Sequence, residues 1–281
     1  MSIWSAFFLK NMPVTIKLTH PADPALQAKM SWFMAQPGCS FQTDIPNLLP
    51  ILHLTRKGTF LDDGQNRLSF HPNLAIIRIL QGLRGEQDRF LAATELEPGQ
   101  TCLDATLGLG TDALVAAWKV GERGKVIAVE HSPLIAALIK EGLQSLKHKK
   151  LPRILNPDKL HAWQELILAS QRIEVIWGDH QEFLADLPDS SVDVVYFDPM
   201  FRHTRVKSSS ILPLHAWSDH HPLRPEAVRE ACRVARSRVV LKERKGSSEF
   251  TYLGFQVFAG GRYSQVNYGI IDCCLTKEEP F

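Results

Sequence analysis

At Thr101–Asp112 an apolar strand end (Cys102, Leu103) meets an acid, Asp104, then a loop with Gly108 and Gly110, then an apolar helix start at Ala113–Val115. A strand, a glycine loop and a helix in that order leave few folds open. They present a nucleotide-like ligand at the C-terminal edge of a parallel sheet. Glycine there lets the backbone approach a ligand closely and tolerates positive φ. The spacing is not the dinucleotide fingerprint, because Ala113 stands where a third glycine belongs. No Gly-Lys-Ser/Thr follows either, so a P-loop is excluded.

The rest of the chain agrees with this centre. From Gly99 onward strands and helices alternate, the pattern of a parallel sheet covered on both faces. The expected strands are Thr101–Ala105, Lys125–Glu130, Arg172–Trp177, Val192–Phe197 and Arg238–Lys242. The expected helices are Asp112–Trp118, Pro133–Leu146, Leu160–Ser170, Gln181–Leu187 and Pro225–Ala235, with a basic interruption at Lys147–Asp158 and a long loop at Pro199–Leu223. The tail offers two strands, Gly254–Phe258 and Gln265–Cys274, that pair as an antiparallel edge hairpin. Ahead of Gly99, a strand at Val14–Leu18, a helix at Asp23–Gln36, a strand at Leu48–Thr55 and a hairpin through Asp63-Gly64 form a small α/β unit. Helices at Asn73–Leu83 and Gln87–Thr94 lead into the centre. Residues 1–11 look dispensable, with Met12 an alternative start. The expected division is a small N-terminal unit over 1–84 and a larger domain over 85–281.

The 281 residues are 44% hydrophobic and 22% charged, which suits a globular protein with a real core. A net charge of +2 means that any nucleic-acid surface is local. Five cysteines without C-x-x-C spacing argue against a disulfide framework or a zinc knuckle. Cys273 and Cys274 read as buried strand residues. No apolar run approaches the ~20 residues of a membrane helix, and Ile3–Leu9 is too short for a signal sequence. The reducing cytoplasm is therefore the expected compartment.

Acids end the first four strands of the large domain: Asp104, Glu130, Asp179 and Asp198. One acid at a strand end reads simply as a helix cap, but acids in series at one edge read as a ligand site. Glu130, ending the second strand, suits a ribose, because one carboxylate accepts from both hydroxyls. Asp179 suits an adenine amino group. Asp198-Pro199-Met200-Phe201 follows the apolar run Val192–Phe197, placing a carboxylate, a rigid turn and a ring together. An amine acceptor needs this arrangement. An exocyclic base amine is a poor nucleophile. Hydrogen bonds to Asp198 and to a carbonyl such as that of Pro199 would aim its lone pair at an electrophilic methyl. Phe201 would stack on the base, worth ~1–3 kcal/mol.

Asp104-Ala105-Thr106-Leu107-Gly108-Leu109-Gly110, Val129-Glu130-His131-Ser132-Pro133 and Tyr196-Phe197-Asp198-Pro199-Met200-Phe201 together resemble class I S-adenosylmethionine-dependent methyltransferases. The pair D-A-T-x-G-L-G and D-P-M-F resembles the RsmJ-type family, which methylates the guanine N2 amine of small-subunit ribosomal RNA. The resemblance covers residues 99–245. It implies a Rossmann-like fold: a mostly parallel seven-stranded sheet with an antiparallel edge hairpin. It also implies S-adenosylmethionine as cofactor, with S-adenosylhomocysteine as product. Cofactor contacts are expected at Asp104, Thr106, Gly108, Gly110, Thr111, Asp112, Glu130, His131, Asp179 and His180. Asp198, Pro199, Met200 and Phe201 are expected at the catalytic tip. After D-P-M-F the family continues Pro-His-Lys-like, whereas this chain has Arg202-His203-Thr204-Arg205-Val206-Lys207, and residues 1–70 show no evident counterpart.

The expected partner is RNA, small-subunit ribosomal RNA or its particle, with no membrane and no metal. Arg202, Arg205 and Lys207 beside the tip, and Lys242 and Arg244 ending the fifth strand, are the candidate RNA contacts. His203, His215, His220 and His221 match no standard zinc spacing. Arg229, Arg233 and Arg236 share one face if all are helical, a solvated face or an RNA-facing stripe. Trp118, Trp163 and Trp177 read as core packing, and Ile135, Leu138 and Ile139 as a buried helix stripe. Two alternatives stay open. The same tip serves methylation of a DNA adenine or cytosine amine, and a cofactor-binding regulatory module without turnover would share the glycine loop.

Overall fold

The computed structural model describes residues 13–43, 49–148, 156–199, 221–258 and 264–276. Their strands form two sheets. The first contains β1 (Val14–Leu18), β2 (Phe41–Gln42), β3 (Ile51–Thr55), β4 (Gly58–Asp62) and β5 (Arg67–Leu68), in the order β2-β1-β3-β4-β5. β1 is parallel to β2 and β3, and β3, β4 and β5 run antiparallel. Helix α1 (Pro24–Met34) makes the crossover from β1 to β2. It starts where local chemistry dictates: Asp23 accepts the Ala25 N–H at 3.0 Å and Pro24 occupies the first turn. The Asp63-Gly64 turn joins β4 to β5 as expected. The sequence pattern suggested neither β2 nor the tight turn at Arg56-Lys57 between β3 and β4.

Helices α2 (Asn73–Leu83) and α3 (Arg89–Thr94) lead to the second sheet. Its strands are β6 (Thr101–Asp104), β7 (Lys125–Glu130), β8 (Ile173–Trp177), β9 (Val192–Phe197), β10 (Ala235–Arg244), β11 (Gln256–Phe258) and β12 (Val266–Asp272). The order is β11-β12-β10-β9-β6-β7-β8. The pairs from β8 through β10 are parallel, and β12 pairs antiparallel with both β10 and β11. This is the Rossmann-like class I methyltransferase fold with its antiparallel edge. The chain winds outward from β6 through β7 to β8, then returns to β9 on the other side. The gap between β6 and β9 is thus the topological switch point, where open α/β sheets bind ligands.

The connecting helices are α4 (Thr111–Val120), α5 (Pro133–Leu146), α6 (Pro157–Ser170), α7 (His180–Asp186), α8 (Pro225–Val234) and α9 (Glu249–Tyr252). Both faces of the sheet are covered. Cys102, Val194, Tyr196 and Val240 pack on one side, Leu103, Val195, Phe197, Val239 and Leu241 on the other. That double burial explains the near-continuous apolar run of β9.

Helix α5 joins the two sheets. Ile135, Leu138 and Ile139 are buried as expected, but so are Leu134, Ala136, Ala137, Gly142 and Leu143, so the helix is apolar almost all round. A helix of that kind is enclosed rather than lying on a surface. One core runs from Val14, Leu52 and Leu61 of the first sheet through α5 to Val126 and Ala128 of the second. Gly142 permits the closest approach, since a Cβ there would lie 2.3 Å from Cγ of Phe70. Lys29 of α1 closes the seam with a 2.5 Å ion pair to Glu141.

Some expectations need correction. Helix α8 stops at Val234 because Ala235 turns extended (φ −76°, ψ 137°), so Arg236 belongs to β10 and not to a helix face. Arg229 pairs with Glu226, Arg233 with Asp189 and Glu230, and Arg236 with Asp193, which ties this basic series to the protein itself. β12 ends at Asp272; Cys273 is buried but Cys274 is exposed, in a helical turn after the strand. Helix α6 begins at Pro157, capped by Asn156, and 149–155 of the basic interruption lie outside the described residues. So do residues 1–12, with Met12, and residue 48.

Candidate active site

The loop after β6 is shaped by its glycines. Gly108 (φ +52°) and Gly110 (φ +74°) both lie in the left-handed region. Gly110 directly precedes α4, and a Cβ on it would stand 3.2 Å from Cγ2 of Ile139. A side chain at that position is therefore strained by conformation and crowded by α5. The Gly108 N–H donates to Oε2 of Glu130 at 3.0 Å, and the Ser132 N–H to Oε1 at 2.8 Å. Glu130 thus clamps the glycine loop to the tip of β7.

Beside it, Asp179 caps α7 through Oδ1, accepting from Gln181 N at 2.8 Å, and its Oδ2 lies 3.6 Å from Nδ1 of His131. The bond with His131, then the backbone N–H of Gln181, hold the Asp179 carboxyl well below the usual carboxylate range against the opposing effect of burial. The His180 ring meets Phe197 edge-on at 5.7 Å. Glu130, His131, Asp179 and His180 therefore converge at the tips of β7 and β8. Trp177, read as core, lies at this edge instead: it is 36% exposed and donates from Nε1 to the His131 carbonyl at 3.2 Å. Gly38 of the first unit packs directly on its indole. Trp118 and Trp163 pack against the core as expected.

On the other side of the switch point lies a cluster of charge. Asp198 follows β9, and its N–H donates to Oγ1 of Thr106 at 2.6 Å, which locks the strand tip to the glycine loop. Lys242 of β10 donates from Nζ to Oδ2 of Asp198 at 2.7 Å and to Oδ2 of Asp112 at 3.1 Å. Tyr196 donates its hydroxyl to the same Asp112 oxygen at 2.8 Å. Arg78, from α2, reaches Oδ1 of Asp112 at 2.5 Å and grips Asp88 with Nε at 2.7 Å and NH2 at 3.0 Å.

Burial pushes the Asp104 carboxyl well up, reinforced by Asp112 and Asp198 and opposed by its bond from Thr106 N. Burial raises Asp112 too, but Lys242 and Arg78 outweigh it and hold that carboxyl well below the usual range. Asp198 ends raised: burial dominates and Lys242 pulls against it.

This placement alters two expectations. The Lys242 ammonium is held between two carboxylates, not presented on the surface for phosphate. The Asp112 carboxylate turns into the sheet toward Arg78, Tyr196 and Lys242. Arg244 is exposed at the end of β10, Thr111 begins α4 and Pro199 follows Asp198. Met200, Phe201, Arg202, Arg205, Lys207, His203, His215 and His220 lie outside the described residues. Arg78 was missed altogether, although a lone charge in Ile76-Ile77-Arg78-Ile79-Leu80 is a signal of buried pairing. Beyond Lys242, toward β12, a cavity of about 260 Å³ opens between Arg78, Gln81, Gln87, Arg89 and Tyr268. Among the described residues, no cluster of His, Cys, Asp and Glu is arranged to hold a metal, and no helix is long and apolar enough to cross a membrane.

Residues 67–251 match the family model described as "Putative SAM-dependent methyltransferase". The chain is 40% identical over 206 residues to uncharacterized protein YpiP of Bacillus subtilis, covering 72% of this chain and 73% of that one. It is 34% identical over 163 residues to ribosomal RNA small subunit methyltransferase J of Shewanella denitrificans, covering 52% of this chain and 58% of the relative. It is 37% identical to the protein of the same name from Pseudoalteromonas translucida, of which it spans 44%. The chain thus spans about half the length of these ribosomal RNA relatives. In fold it is similar to a SAM-dependent methyltransferase from Neisseria gonorrhoeae, with a TM-score of 0.59 at 19% identity over 93% of this chain and 96% of the other. That overlap extends into residues 1–70, for which the sequence shows no evident counterpart.

Proposed function

Because the chain belongs to the SAM-dependent methyltransferase family and S-adenosylmethionine is its methyl donor, we propose that its acceptor is the exocyclic amine of a nucleic-acid base, guanine N2 of small-subunit ribosomal RNA. The observation that carries this reading is the Asp198 carboxylate. It stands at the switch point with 27% of its side chain exposed, fastened to the glycine loop through Thr106 and to β10 through Lys242. The similarity to ribosomal RNA methyltransferases supports the choice of RNA.

The residues fit the donor. Gly108 and Gly110 supply the left-handed turns of the loop that would face the donor, Glu130 suits the ribose hydroxyls, and Asp179 with His131 and His180 suits the adenine end. Asp104, Thr106, Thr111 and Asp112 complete the loop, the last through its buried carboxylate. The donor supplies a methyl group on a sulfonium. Asp198, with Pro199, accepts the amine N–H bonds and aims the nitrogen lone pair, so positioning and charge do the work. The amine nitrogen so held would take the methyl group and give up one proton, which Asp198 would accept. Met200 and Phe201 complete the tip in this reading. Arg202, Arg205, Lys207 and Arg244 meet RNA phosphates, the unit formed by residues 1–84 docks the RNA, and the reaction takes place in the cytoplasm.

Methyl transfer from labelled donor to total RNA and to DNA tests the reading. Label in small-subunit RNA at guanine N2 is expected. Label on DNA alone would support a DNA amine instead, and none on any acceptor would support a binding module. A Glu130→Ala variant should weaken donor binding by about tenfold or more, the loss of charge-assisted hydrogen bonds. An unchanged dissociation constant by calorimetry would remove Glu130 from the ribose site.

A further inference from the structure

We propose that Lys242 is a positioning residue for methyl transfer: braced by Asp112 and Arg78, its ammonium locks one oxygen of Asp198 and keeps that carboxylate a hydrogen-bond acceptor for the amine. The inference rests on the reading of Asp198 as the amine acceptor.

The geometry carries it. Among the described residues, Lys242 is the side chain that bonds the Asp198 carboxylate, and it does so at Oδ2, 2.7 Å away. Its second bond, to Asp112 at 3.1 Å, fixes the ammonium from behind. Asp112 is itself fixed by Tyr196 and Arg78, and Arg78 by Asp88. Each side chain in the row holds the next, from α2 through α4 and β10 to the strand tip. A lysine on surface duty needs no such brace; a long, flexible ammonium loses rotamer freedom when it must stand at one point.

The chemistry explains the need. As the methyl moves, positive charge passes from the sulfonium to the amine nitrogen. An ionised Asp198 stabilises that nitrogen and takes up the departing proton, whereas a neutral carboxylic acid does neither. Burial works against ionisation here. Among the described residues, the charged or titratable groups that bear on Asp198 are Asp104 from β6, Asp112 from α4, Arg78 from α2, Tyr196 from β9, Lys242 and Glu243 from β10, and Tyr268 from β12. The acids raise the Asp198 carboxyl, and Lys242 is the strongest opposing group, followed by Arg78.

Two variants of opposite sign test this. Labelled methyl transfer to small-subunit RNA from cells lacking the protein would be followed from about pH 6 to 9.5 at saturating donor, with the profile reporting the essential base. In Lys242→Met the acid limb of kcat should move up by about one pH unit or more, so that kcat falls by up to about tenfold on that limb and the loss shrinks as pH rises. Lys242→Arg should restore the limb. In Asp112→Asn the amide oxygen still accepts the Lys242 bond while the like charge beside Asp198 is gone, so the limb should move down. A carboxyl-carbon NMR titration of Asp198 in the donor-free variants should show the same opposite shifts. In the two Lys242 variants donor affinity should change little, about threefold at most, since Lys242 lies away from the groups proposed for ribose and adenine at β7 and β8. A kcat loss of equal size at every pH, or shifts in the same direction in both variants, would overturn the role of Lys242. If Lys242→Met does not fold, Asp112→Asn and Lys242→Arg decide the matter by the same limbs. Should Asp198→Ala retain the wild-type rate, the amine-acceptor reading falls and this inference with it. An inactive Asp198→Ala beside an unshifted Lys242→Met profile would sink this inference alone.

Discussion

Asp198→Ala is expected to lower kcat by about 10²- to 10⁴-fold, the range seen when a positioned proton acceptor is removed. Donor affinity should change less than about tenfold, because the groups proposed for ribose and adenine lie across the switch point at β7 and β8. The fold should survive the change. Lys242 keeps its bond to Asp112, and the removed carboxylate leaves a position that is already partly open to solvent. Single-turnover methyl transfer beside calorimetric donor titration separates the two effects. A rate near wild type would remove Asp198 from the chemistry, and a lost rate with equally lost donor binding would make it a donor ligand instead.

Arg78→Leu is expected to cost about 3–5 kcal/mol of stability, the usual penalty for breaking a buried ion pair by removing one partner. Arg78 is only 20% exposed and serves two carboxylates at once, Asp88 and Asp112. Its guanidinium also lies 5.5 Å from the centre of the Phe90 ring, a contact that leucine does not reproduce. For a domain of this size the melting temperature should fall by roughly 10 °C. Arg78→Lys should recover only part of the loss, because an ammonium cannot span both acids as the planar fork does. Denaturant unfolding measures the change; a loss below about 1 kcal/mol would mean that water replaces the guanidinium without difficulty.

The first result bears on chemistry and the second on the fold, yet both variants lie in one row of charges. Arg78 comes from a helix that precedes the sheet in the chain, so the reach of the site does not follow the order of the sequence. The same holds at the opposite edge, where Gly38 of the first sheet's unit packs on Trp177 beside His131.

Much of this protein is written in local chemistry. A strand ending in Asp104, glycines at positions that demand positive φ, and the proline at the start of α1 and α5 are decided within a few residues, so they can be read in order. The acids at the tips of β6, β7 and β9 follow for the same reason, since a run of apolar residues marks where a strand ends. The end of α8 was harder: Arg236 has helical spacing from Arg229 and Arg233, but β10 begins at Ala235 because that segment pairs with β9, a long-range preference that overrides the periodicity.

What only the tertiary structure decided is which of these tips meet and which charges answer one another. Asp112 lies 34 positions from Arg78 and 130 from Lys242, and Lys242 lies 44 from Asp198. No local pattern couples such distances. Their meeting depends on the order β10-β9-β6, on strand register and on α2 packing across α4 and α6. Nor does composition say which lysine faces solvent. That depends on which face of β10 turns inward, and a one-residue shift of register would have carried the ammonium of Lys242 to the other side of the sheet.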